Sequence, residues 1–144
     1  MAFPVTVLPD DELALIQYLR TVPEVTALVP GARITTELPP SPTYPVVLVQ
    51  RAGGVGIWPA LDDAALQVDV VAAARTDATP NTRRECKILA QTVRAAVLAI
   101  ANDIVPEGVL VSASEEIGPQ YLPDTIPNPP LPRYTARYRV ITHR

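Results

Sequence analysis

The chain has 144 residues, 48% of them hydrophobic, and a formal net charge of −3. That apolar content suits one ordinary folded domain and argues against global disorder, while the negative charge gives no overall attraction to nucleic acid. One His (His143), one Cys (Cys86) and one Lys (Lys87) make a metal site, a Cys/His pair or a Ser/His triad hard to assemble, and a lone Cys excludes an internal disulfide.

Asp10 is a good helix N-cap, and Asp11 and Glu12 put negative charge on the first turn. Leu13, Ile16 and Leu19 recur at helical spacing, which predicts a helix over 11–22. Pro23 ends it or begins a further turn before Pro30-Gly31. Residues 33–38, with Ile34, Thr35 and Thr36, suit a short strand. The run 44–50 is apolar and β-branched, as in a strand buried on both faces. Gly53-Gly54-Val55-Gly56 then reads as a hairpin loop; it lacks the Gly-Lys-Ser/Thr ending of a phosphate loop.

In 65–73, Leu66, Val68, Val70 and Ala72 alternate with Gln67, Asp69 and Val71, a strand with one buried face. A long helix follows, starting either at Thr79-Pro80 (N-cap, then proline) or at a Thr82/Glu85 capping box, and running to about Asn102. Its stripe of Cys86, Leu89, Val93, Val97 and Ile100, flanked by Ala90 and Ala96, suits close packing on a sheet, with Cys86 a small core residue. The stretch 109–114 is a fourth strand. The last strand, 133–143, alternates Tyr134, Ala136, Tyr138 and Val140 with Arg133, Thr135, Arg137, Arg139, Ile141 and His143. The order α-β-β-β-α-β-β predicts an α+β fold, a mixed or antiparallel sheet with two helices packed on it, over 1–144 as a single domain.

Ten of the 17 prolines fall in two stretches, 39–45 and 119–132, read as stiff arms. The second arm holds Tyr121 and Leu122 among its prolines, apolar groups that a neighbouring subunit would cover unless the arm is a solvated loop. Arg133, Arg137 and Arg139 share one strand face with no acid in the strand. They bind an acidic partner or phosphate, or they pair across strands with Asp69, Glu115 or Glu116. Trp58, in a Gly/Pro-rich loop, anchors into another subunit or folds back on the core. Asp62-Asp63 and Glu115-Glu116 are adjacent acids whose side chains point to opposite strand faces, so they read as solvated surface and not as an acid/base pair. No catalytic residue, cofactor, metal or membrane span is expected, and nothing at Met1-Ala2-Phe3-Pro4 reads as a signal peptide.

The chain resembles the tail terminator proteins of long-tailed bacteriophages, especially those of actinobacterial hosts. The resemblance is spread over nearly the whole chain: the opening helix and Pro23-Glu24-Val25-Thr26-Ala27-Leu28-Val29, Arg33-Ile34, Tyr44-Pro45-Val46-Val47-Leu48-Val49 leading to Gly53-Gly54, 66–73, Leu89-Ala90 with Val93-Arg94, and Pro132-Arg133-Tyr134-Thr135-Ala136-Arg137-Tyr138. It implies a virion protein of the tail or neck, made in the host cytoplasm. That protein would form a homo-oligomeric, hexameric ring on the head-proximal end of the tail tube and stop tube growth. Its partners would be the major tail tube protein and the head-to-tail connector or stopper proteins, and DNA would cross its channel without specific binding. On that reading the subunit or partner interface contains Trp58, Tyr121, Leu122, Arg133, Arg137 and Arg139, with few arginines lining the channel. The alternative is a neighbouring neck or head-completion protein, or a tail tube subunit.

Overall fold

A computed structural model describes residues 5–57 and 60–144. Its elements are α1 (Asp11–Leu19), α2 (Pro23–Thr26), a 3-10 turn (Gly31–Arg33), β1 (Ile34–Thr35), β2 (Val46–Ile57), β3 (Leu61–Val71), α3 (Thr82–Leu98), β4 (Ala101–Val105), β5 (Gly108–Tyr121) and β6 (Arg133–His143). They form an α+β fold around a six-stranded sheet of order β1-β2-β3-β6-β5-β4. The sheet is mixed: β1 runs parallel to β2, and the other pairings are antiparallel.

The Asp10 carboxylate accepts the Leu13 N–H at 3.1 Å, so the predicted cap starts α1. The helix ends three residues earlier than expected, at Leu19, because the chain turns at Arg20 and Pro23 opens α2 with its missing N–H at a helix start. Arg20 fixes that corner by donating to the carbonyls of Gly31 and Ile34, both at 2.9 Å. At the other long helix neither predicted start is used. Asn81 is the cap residue and makes no side-chain cap bond. The helix stops at Leu98, short of the expected Asn102, which takes a left-handed φ of 54°. The predicted stripe is the buried face of α3, with Cys86, Leu89, Val93 and Val97 each at most 2% exposed.

The Cys86 thiol donates to the Val70 carbonyl at 3.2 Å, and burial pushes its pKa up to about 11. Little thiolate forms near neutral pH, so Cys86 is expected to resist iodoacetamide in the native protein. Intact-mass spectra before and after denaturation check this, with alkylation expected only after unfolding.

The largest corrections concern the hairpins. The glycine run is not a loop. β2 continues through it to Ile57, with a bulge between Arg51 and Gly53, and pairs with β3 down to Ile57 opposite Leu61. Gly54 has φ 107°, and a Cβ there would collide with the Asp63 carbonyl, so a close backbone approach requires this glycine. β4 was not foreseen and pairs with the start of β5. The start of the second proline stretch is also strand: β5 runs to Tyr121, and Pro119 sits where the β5–β6 register breaks between Ile117 and Gln120. Beyond it, Asp124 bridges Leu131, so the arm is the outer end of a long β5–β6 hairpin.

Register places Ala64, Leu66, Val68 and Val70 opposite Val140, Tyr138, Ala136 and Tyr134. These residues join α1 and α3 in the main core. The other sheet face has only a small apolar cluster, Val46, Val71 and Leu131, with no helical residue in it. The sheet therefore has one helix-covered face and one bare face.

An ionic cluster of two buried carboxylates and one partly exposed arginine ties the β2–β3 hairpin to α1. Arg51 reaches Asp11 at 2.6 Å and Asp62 at 2.5 Å, and the two carboxylate side chains are only 8% and 7% exposed. Asp62 was expected to be solvated surface; it lies instead on the helix-covered side, opposite Gly56, where it desolvates against Arg51.

Candidate assembly surfaces

The alternation of β6 holds in the structure. Arg133, Arg137 and Arg139 lie on the bare face, and each has a different environment. The Arg139 guanidinium pairs with Asp63 at 3.0 Å and reaches Glu116 at 3.9 Å. Arg133 donates from Nε to the Leu122 carbonyl at 2.8 Å. Arg137 has no hydrogen-bond or ion-pair partner among the described residues, and its Nε is screened from solvent.

Of the acids expected across the strands, Glu116 alone meets an arginine of the stripe. Asp69 accepts from the Thr135 hydroxyl at 2.7 Å and from the Gln67 amide at 3.3 Å. Glu115 lies on the helix-covered side, where Arg94 binds it with two nitrogens and holds its pKa below the usual carboxylate value. Asp63, expected from the sequence to be solvated surface, pairs instead with Arg139, because register sets it opposite Ile141, two residues along β6. The adjacent acids do point to opposite faces. They are not a free acidic surface, since Asp62, Asp63 and Glu115 are engaged within the chain.

Tyr121 turns to the helix-covered side, where its ring lies 5.2 Å from that of Tyr134 and the Arg83 guanidinium sits 3.8 Å above it. Leu122 is 47% exposed. Trp58 lies outside the described residues. The structure thus gathers Leu122, Arg133 and Arg137 around one recess of about 300 Å³ on the bare face, completed by Gln67, Ile117, Gln120 and Thr135.

Sequence reasoning missed the sheet edges. β1 covers β2 only at Val47 and Leu48, and the Glu12 carboxylate of α1 accepts the Arg51 N–H at 2.6 Å, so the outer side of β2 from 53 to 57 is the part with no partner among the described residues. β4 covers β5 only as far as Ser112, leaving the outer side of 113–121 equally open. The two open segments lie at diagonally opposite corners of the sheet. On the bare face beside them sit Val55 and Ile57, 63% and 53% exposed, and Ile117, 39% exposed. Apolar side chains next to unpaired backbone form a template for strand addition.

No group of three or more His, Cys, Asp or Glu side chains among the described residues is placed to hold a metal ion. No helix among them is long and apolar enough to cross a membrane.

Comparison with known proteins adds two findings. The family model described as tail completion protein gp17 matches residues 13–114, from α1 into β5. Among solved structures, a chain of the virion of the native gene transfer agent particle has the same fold, with a TM-score of 0.62 over 93% of this chain and 95% of that one, at 19% identity. No curated protein matches the sequence.

Proposed function

This chain belongs to the tail completion protein gp17 family, a family of structural phage virion proteins, and from that premise we propose that it acts as a tail terminator. In this reading copies of the chain close into a ring, six-fold by its resemblance to terminators. The ring caps the head-proximal end of the tail tube, stops its growth and joins it to the connector or stopper proteins of the neck.

The observation that carries this reading is the pair of open edges. A ring of identical copies needs two different, complementary surfaces on each copy, so that a repeated rotation closes. The 53–57 edge of β2 and the 113–121 edge of β5 are such a pair. Joining them continues the sheet from copy to copy and brings Val55 and Ile57 beside Ile117 of the next copy, an apolar cross-strand contact. The interface extends to Leu122, Arg133 and Arg137 beside the β5 edge. Arg139 belongs to its margin, with part of its charge already met by Asp63. DNA passes the channel without specific contacts.

Light scattering of the purified protein, with negative-stain images of the same sample, tests the reading. The expected result is closed rings, and binding at one end only when preformed tail tubes are added. Long tubes of this protein by itself would identify a tube subunit instead. Failure to bind either tube end would sink the terminator assignment.

A further inference from the structure

The recess around Arg137 contains a charge that the chain leaves unanswered. Register sets Gln67 and Ile117 directly opposite Arg137 on its two neighbouring strands, and neither carries charge. Its Nε is closed off from solvent yet has no acceptor among the described residues. The two terminal nitrogens of the same guanidinium have no acceptor among the described residues either, and they are not screened, so an added acceptor meets Arg137 there. Asp69, the nearest acid along β3, is held by the Thr135 hydroxyl and the Gln67 amide. Arg133 lines the same recess, as do Gln120 and Thr135.

We propose that this recess is a receptor for a single carboxylate, supplied by an Asp or Glu side chain of a second copy of the chain. The planar guanidinium of Arg137 presents paired donors that match a carboxylate, with Arg133 adding charge and Ile117 and Leu122 packing on the methylenes of the incoming side chain. Three features favour that occupant. About 300 Å³ admits one side chain. Asp63, Asp69 and Glu116 balance Arg133, Arg137 and Arg139 on this face, so a polyanion such as DNA finds no net attraction there while one buried carboxylate finds a local partner. The chain carries 15 acids against 12 basic residues, so a second copy brings carboxylates in excess. The site borders the open β5 edge, so the choice of a second copy rests on the ring reading above.

Two measurements keep the two ideas apart. On the free protein, arginine Nε–H NMR signals are followed while sodium acetate is added against sodium chloride. The expected result is a saturable shift of Arg137, with no such shift when a short duplex DNA replaces acetate. No acetate-specific shift, or a larger shift with DNA, overturns the carboxylate site whatever the protein assembles into. In assembly, R137Q is expected to weaken self-association by about thirtyfold or more, and R137K by less. If rings form equally well from R137Q, the ring reading stands and the second copy is excluded as the source. If the wild-type chain self-associates neither alone nor on added tail tubes, the second copy is again excluded, and this time the ring reading falls with it. Thermal melts of both variants separate lost binding from lost folding, and the acetate titration on the wild-type chain holds even if R137Q fails to fold.

Discussion

Arg51→Ala is expected to lower the folding free energy by about 2 kcal/mol, below the range for breaking a fully buried ion pair because the Arg51 side chain is itself 34% exposed and solvent screens it. The loss does not come from the attraction alone. Removing the guanidinium leaves Asp11 and Asp62 desolvated beside each other, with their charges unanswered. Urea titrations of both proteins, compared at equal slope, measure the difference. The pH dependence gives an independent check. Burial already raises the pKa of Asp11, and the Arg51 charge opposes that rise. A carboxyl with a raised folded pKa contributes its stability below its unfolded value and loses it as pH rises through the folded one. Without Arg51 the opposing cause is gone and the pKa rises further, so the deficit of Arg51→Ala should shrink from neutral pH toward about pH 5. A deficit that grows on acidification would show that the cluster is not the cause. Replacing Asp11 and Asp62 by Asn in the Arg51→Ala background is expected to recover part of the loss, since neutral amides tolerate that burial better.

What was legible in the sequence follows from where side chains carry the signal. The β6 alternation and the α3 stripe were readable because both depend on period, and burial obeys it. The terminator resemblance was borne out at the level of the family. The β2 extension was not readable, because a strand built through Gly53, Gly54 and Gly56 has almost no side chains to alternate. Its pairing is carried by backbone hydrogen bonds. β4 was hidden because Ala101, Asn102 and Ile104 are exposed and follow the apolar helix with no glycine or proline between. The proline stretch misled at Pro119, since a proline at a register break tolerates strand on either side. Asp11 and Asp62 lie 40 and 11 residues from Arg51 in the sequence; the hairpin brings Asp62 to it, and the packing of α1 against β2 brings Asp11. The open edges are a property of topology, of which strand stops short beside which, and no residue type announces them.

Lysine at Val55 and Ile57 together is expected to leave the fold intact and abolish assembly. Both side chains are largely exposed, so the folding cost should stay within about 0.5 kcal/mol for each. Charge on an edge strand, however, opposes the approach of another strand, the device by which sheet proteins avoid unwanted pairing. Light scattering should then report a monomer of 15.5 kDa. Ile117→Lys, on the opposite open edge, should give the same result by itself. The mixture of the two variants decides the geometry. A copy carrying Val55→Lys and Ile57→Lys still has its β5 edge, and a copy carrying Ile117→Lys still has its β2 edge. Head-to-tail pairing therefore allows one good contact between the two variants and no second, so the mixture should reach about twice 15.5 kDa and stop. Dimers of Ile117→Lys alone would mean that β2 edges pair with each other, a two-fold contact that cannot close a larger ring. Full rings from either single variant would mean that the sheet edges are not the joint at all.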